Sequence, residues 1–106
     1  MKYTLITGAT GFIGRSLIKT ISKKKIIVLV RNKKSHIKGY KNIYVDISKK
    51  KINFNFLKNV ESIIHLASIS EEKSKKDRNK TKQVNYVFVK NLIKKSKKYD
   101  IKRIIK

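Results

Sequence analysis

Apolar positions along this chain follow two alternating periods. Residues 2–7 form a short β-rich run that glycines end at once, and residues 12–22 set Ile13, Leu17, Ile18 and Ile21 at helical spacing. Residues 26–30 are continuously apolar, the pattern of a strand buried on both faces. A third short strand is expected over 42–45, after a loop containing Gly39, followed by a helical turn over 54–57 and a fourth strand over 62–66. The polar segment 68–80 reads as a loop. Residues 81–99 predict a long helix with Val84, Val87, Phe88, Leu92 and Ile93 on one stripe, and 103–106 the start of a fifth strand. Strands alternating with helices imply a parallel sheet with right-handed crossovers, hence one doubly wound α/β domain over 1–106. The fifth strand would carry Ile104 and Ile105 with no helix behind it, so the expected domain is truncated after that strand.

The joint between the first strand and the first helix carries the most specific chemistry. It reads Thr7-Gly8-Ala9-Thr10-Gly11-Phe12-Ile13-Gly14. In a dinucleotide site Gly8 permits the tight turn out of the strand, Gly11 lets a pyrophosphate approach the backbone, and Gly14 lets the helix pack closely on the strand. The phosphates would then meet free N–H groups and the positive end of the helix dipole. Three glycines alone are weak evidence; after a strand, opening a helix, at the head of an α/β chain, they are strong. A lysine P-loop is excluded, because no Gly-Lys-Ser/Thr follows.

TGATGFIG resembles the glycine motif of the extended short-chain dehydrogenases, which include the NAD-dependent epimerases and dehydratases. The likeness runs along the chain in order. Tyr44-Val45-Asp46-Ile47 is similar to the segment after the third strand that contacts the adenine, and Ser62-Ile63-Ile64-His65-Leu66-Ala67 to the fourth-strand motif whose end lies along the cofactor. Val84-Asn85 with Asn91-Leu92-Ile93 looks like the next helix, and Lys102-Arg103-Ile104-Ile105 like the start of the fifth strand. The resemblance implies a Rossmann-like sheet of about five strands. It also implies cofactor contacts from Gly8, Thr10, Gly11, Phe12, Ile13, Gly14, Asp46, Ile47, Leu66 and Ala67, and an active-site backbone ordered by Asn85. Phe88 and Val89 stand where relatives often carry small or hydroxyl residues.

The residue ending the second strand reads the adenosine ribose: an acid there favours NAD and an arginine the 2′-phosphate of NADP. This position falls on Arg31, followed by Asn32, Lys33 and Lys34, with no carboxylate nearby in sequence. NADP is therefore expected ahead of NAD. Asp46 has two readings of equal weight, adenine contact and capping of the turn Asp46-Ile47-Ser48. Arg15 either faces the phosphates or is a solvated first-turn residue, and His65 is expected to be structural.

Charge is the loudest compositional feature, with 29 Lys and Arg against 6 Asp and Glu, a net +23. Alone it suggests a polyanion partner. Lysine outnumbers arginine 25 to 4, however, and with isoleucine and asparagine makes up nearly half the chain. All three have codons rich in A and T, so nucleotide bias explains the composition. The lysines fall in scattered runs at 23–25, 49–51 and 94–98 rather than in an arginine-and-aromatic stripe, and nucleic acid is not the expected partner. There is no cysteine, and the two histidines are far apart, so neither disulfides nor a zinc site are expected. Without a secretory or spanning segment the expected location is the cytoplasm.

In the family that this chain resembles, hydride transfer uses a serine after the fifth strand and a Tyr-x-x-x-Lys pair on the next helix, the lysine lowering the tyrosine pKa. Those positions fall beyond Lys106. Tyr86 and Lys90 have the pair's spacing but lie before the fifth strand, so no residue is expected to be catalytic. The expected protein is thus the nucleotide-binding N-terminal part of an epimerase, dehydratase or reductase acting on a sugar nucleotide or similar substrate, inactive alone. A stand-alone NADP-binding regulatory module and a basic nucleic-acid-binding protein are the alternatives.

Overall fold

The computed structural model describes residues 2–21, 25–68 and 77–105. Lys23 and Lys24, Ser22 at the end of the first expected helix, most of the loop expected over 68–80 and Lys106 lie outside them, as does the side chain of Phe12. Five strands, β1 (Tyr3–Thr7), β2 (Ile26–Val30), β3 (Lys41–Tyr44), β4 (Val60–His65) and β5 (Arg103–Ile105), form one parallel sheet in the order β3-β2-β1-β4-β5. The chain works outward from β1 to β3, then returns to β1's other side and continues to β5. That reversal puts a topological switch point between β1 and β4 at the carboxyl edge, where open α/β sheets bind ligands.

Every residue of β2 is buried, and strand alternation divides the core between the two faces. Leu5, Ile27, Leu29 and Ile63 face one way, against Phe54, Leu57, Phe88 and Leu92. Ile6, Ile26, Val28 and Val30 face the other, against Ala9 and Ile18. The first layer is the thicker. Phe88 is fully buried at its centre, 5.9 Å from the Phe54 ring and 5.7 Å from His65. The large residue at position 88 is thus accommodated by an aromatic cluster.

The helix on that face differs from its expected form in start, interior and stop. It begins at α2 (Arg78–Lys82), where the Asp77 carboxylate accepts the Lys80 N–H at 3.0 Å as an N-cap. A π-helical turn over Gln83–Val87 then leads into α3 (Phe88–Lys98). The wider turn lets both Gln83 and Val84 be buried, before Phe88, Leu92 and Ser96 continue one face at fourfold spacing. Val87 and Ile93, expected on the stripe, lie at its half-buried margins. Asp100 ends the helix in the left-handed region at φ 57°, with the Ile101 N–H donating to the Ser96 carbonyl at 3.0 Å and Asp100 N–H to Lys97. This is a Schellman closure with aspartate in the usual glycine position.

The opposite face is covered by α1 (Phe12–Ile18), shorter than the expected 12–22. Its buried side is Gly14 and Ile18, one turn apart, which turns Ile13 outward to 67% exposure. Ile13 therefore does not belong to the apolar stripe. Tyr40 donates from its hydroxyl to the Ile18 carbonyl at 3.0 Å, and the Asn42 amide brackets the loop before β3 through Ile37 and Tyr40. A short 3₁₀ turn at Lys33–Ser35, absent from the expected elements, is capped by Asn32. β2 and the start of β5 fall where expected, and β1, β3, β4 and the turn at Asn55–Leu57 shift by one or two residues.

Burial divides the apolar positions sharply, and mutation should follow it. Phe88→Ala should lower unfolding free energy by about 3–5 kcal/mol in urea titrations. Ile105→Ser, at a position 56% exposed, should change it by less than about 0.5 kcal/mol.

Candidate functional site

The carboxyl ends of β1 and β4 are drawn together by one hydroxyl. Thr7 Oγ1 accepts the N–H groups of Leu66 and Ala67 at 3.1 and 3.2 Å and lies 2.7 Å from His65 Nδ1. One hydroxyl thus ties the end of β1 to two backbone N–H groups and one imidazole nitrogen at the end of β4. His65 is buried against Phe88, in keeping with the structural role expected of it.

Past Thr7, neither Gly8 nor Gly14 has room for a side chain. Gly8 turns at φ +72°, and a Cβ there would stand 2.6 Å from the Ala67 nitrogen. A Cβ on Gly14 would collide with the Gly8 carbonyl oxygen and stand 2.6 Å from the Ala9 Cα. Both contacts are with backbone, which cannot swing aside. Gly11, the N-cap of α1, supplies no side-chain cap, so the first N–H groups of that helix have no partner from it.

A cleft of about 650 Å³ opens over this turn. Of the residues expected in a site, Gly8, Thr10, Arg31, Asp46, Ile47 and Ala67 line it. Gly11, Gly14, Ile13 and Leu66 are not among its lining residues: Gly14 is buried under the turn, Ile13 points away, and Leu66 contributes through its hydrogen bond to Thr7. Arg15 faces a separate, smaller depression beside Lys34 and His36. Tyr86 and Lys90 do not line the cleft either, nor does Asn85. Sequence reasoning missed Ser48, Asp77, Lys80, Thr81 and Val84, which are among the other residues of the wall. The apolar stripe pointed to Val84, and the Asp77-x-x-Lys80 cap was the available signal for the helix start that carries the others.

Arg31 and Asp46 meet on the cleft wall, Nε to Oδ2 at 3.4 Å, with side chains 61% and 23% exposed. Asp46 also closes its own turn, its Oδ1 accepting the Ser48 N–H at 3.0 Å and the Ser48 hydroxyl at 2.6 Å. Partial burial pushes this carboxyl up, but the Ser48 hydrogen bonds and the Arg31 guanidinium outweigh it and hold the group below its ordinary 3.8. The turn-capping reading of Asp46 is thus present in the structure, joined by an ion pair that the sequence did not suggest. Among the described residues, no group of three metal-ligating side chains converges and no helix is long and apolar enough to cross a membrane.

Comparison with known proteins is consistent with this architecture. Among solved structures the chain is similar to an L-threonine dehydrogenase from Clostridium difficile, with a TM-score of 0.77 and 26% identity over 97% of this chain and 35% of that one. It is similar in fold to Pen from Bacillus thuringiensis, with a TM-score of 0.82 and 20% identity over 97% of this chain and 36% of that one. It is also similar in fold to DesIV, a dTDP-glucose 4,6-dehydratase from Streptomyces venezuelae solved with NAD and TYD bound (TM-score 0.75, 21% identity, 96% of this chain and 38% of that one). The chain thus spans little more than a third of each. No curated protein matches it. A family model matches residues 4–106, from the second residue of β1 to the end of the chain, and by that match the chain belongs to the NAD dependent epimerase/dehydratase family.

Proposed function

We propose that residues 1–106 are the nucleotide-binding domain of a cytoplasmic NAD(P)-dependent epimerase, dehydratase or reductase acting on a sugar nucleotide or similar carbonyl or hydroxyl substrate. One observation carries this reading: a Cβ on Gly8 would strike the backbone of Leu66 and Ala67 just past β4, and one on Gly14 would strike the turn's own backbone at Gly8 and Ala9, directly beneath a cleft at the sheet's switch point. Such closeness exposes backbone, and exposed backbone N–H groups suit a pyrophosphate. NAD bound to a structure of similar fold, DesIV, supports the same ligand class.

Gly8, Thr10, Gly11, Phe12, Ile13 and Gly14 would hold the pyrophosphate, chiefly through main-chain groups. Asp46 and Ile47 would flank the adenine, and Leu66 and Ala67 would border the part of the cofactor beyond the phosphates. Arg31, at the end of β2 and in the cleft wall, favours NADP over NAD, because a guanidinium matches a 2′-phosphate and gains little from a hydroxyl. When bound, the nicotinamide supplies hydride exchange. No catalytic acid or base is assigned within 1–106, since Tyr86 and Lys90 stand off the cleft, so binding without turnover is expected of the chain alone.

Calorimetry with NADP, NAD and duplex DNA tests this reading. NADP should bind more tightly than NAD, and Arg31→Asp should reverse the order; an unchanged preference would mean that Arg31 does not read the 2′ position. DNA binding with a steep salt slope and no nucleotide binding would favour a polyanion-binding role. Gly14→Ala should weaken binding of either nucleotide by about tenfold or more, a loss of at least ~1.4 kcal/mol. Lys90→Ala should leave affinity unchanged.

A further inference from the structure

Arg31 and Asp46 reach the same wall from neighbouring strands. β2 and β3 run in register from Ile27 opposite Lys41 to Val30 opposite Tyr44, and the Val45 N–H donates to the Val30 carbonyl at 2.8 Å. That register sets Arg31 opposite Val45, one residue before Asp46, within reach of its carboxylate. The two carboxylate oxygens of Asp46 are used differently. Oδ1 is taken by the Ser48 N–H and hydroxyl, and Oδ2 is left to Arg31. The acid is clamped by its turn and mostly covered, whereas the arginine side chain is mostly exposed and held at one atom. Of the pair, Arg31 is the member free to move.

We propose that Asp46 is a selectivity residue of the nucleotide site, keeping Arg31 paired when the adenosine ribose carries a 2′-hydroxyl and yielding it when the ribose carries a 2′-phosphate. This rests on the nucleotide-binding reading above. An arginine with no partner beside a neutral ribose gains nothing from NAD and everything from NADP. Pairing narrows that gap, because a 2′-phosphate must first draw the guanidinium away from Oδ2. Asp46 thereby tempers the NADP preference that Arg31 creates and keeps the site open to NAD. An exposed ion pair of this kind changes a binding ratio by about two- to fivefold.

A double-mutant cycle on the full 106-residue chain isolates the effect. Dissociation constants for NADP and NAD are measured for the parent, Asp46→Asn, Arg31→Gln and the double variant. Asparagine keeps an oxygen for Ser48, so the turn is retained. Asp46→Asn should raise the affinity ratio of NADP to NAD about two- to fivefold in the parent and leave it unchanged in Arg31→Gln. An equal shift in both backgrounds would mean direct repulsion between Asp46 and the phosphate and would overturn the proposal, as would no shift or a shift toward NAD. The unmutated chain gives a second readout in the Arg31 Nε–H resonance, which should move on saturation with NADP and stay in place with NAD. The same response to both ligands would also overturn the proposal. Binding of neither nucleotide would instead sink the nucleotide-binding reading, and this inference with it.

Discussion

The carboxyl edge of this sheet depends on how closely the β1–α1 turn lies against the end of β4. Thr7 sets that distance. Its single hydroxyl satisfies two backbone N–H groups and one imidazole nitrogen, so β1 and β4 are fixed at the level where the strands stop. A valine of the same shape would take this acceptor from the Ala67 N–H, a loss of about 1–3 kcal/mol for a buried unsatisfied group, whereas the Leu66 N–H would keep the Thr7 carbonyl at 3.1 Å. From this closeness the rest follows. Gly8 must take a left-handed turn against Ala67, Gly14 must pass under the Gly8 carbonyl, and α1 begins pressed to the sheet with its buried side already chosen. The cleft above is lined at that point by backbone because nothing larger fits.

The two faces of the sheet answer to different demands. The face under α2 and α3 carries the heavier packing, with Phe54, Leu57, Phe88 and Leu92 closing over Leu5, Leu29 and Ile63. It has to, in a chain with a net charge of +23, where self-repulsion opposes compactness and six acids are too few to offset it by pairing. The π-helical turn serves both packing and site. By burying Gln83 and Val84 together it brings Val84 to the cleft wall, while the Gln83 amide donates to the Lys49 carbonyl at 3.0 Å. The loop after β3, which carries Asp46, is thus tied to the helix that forms the opposite wall.

What was legible in the sequence was local. β2 appears where its unbroken apolar run put it, and the glycine turn was recognisable because its demands are met within a few residues. The helix start was not, because Asp77, Arg78, Asn79 and Lys80 carry no apolar periodicity and only the Asp77 cap marks them. The stop at Asp100 rests on a left-handed aspartate, a conformation that the residue tolerates without announcing it. Ile13 fitted a helical stripe by spacing but lies outside it, since Gly14 and not an apolar side chain holds the contact face. A period of 3.6 residues identifies a helix more securely than it identifies which side is buried.

Asp46 shows most clearly why a site is harder to read than a fold. Its turn with Ser48 is a two-residue matter, visible in the sequence, and weighs there against an adenine contact. Its pairing with Arg31 depends on the β2–β3 register, and a shift of that register by one residue would move the carboxylate away from the guanidinium. The absence of a nearby acid in sequence was therefore no guide to the arginine's surroundings. The turn and the ion pair also do not compete, because they engage different oxygens of one carboxylate. The Ser48 bonds fix the plane of the group, and fixing that plane is what directs Oδ2 toward the cleft wall. A residue that caps its own turn is thereby made rigid enough to act on another.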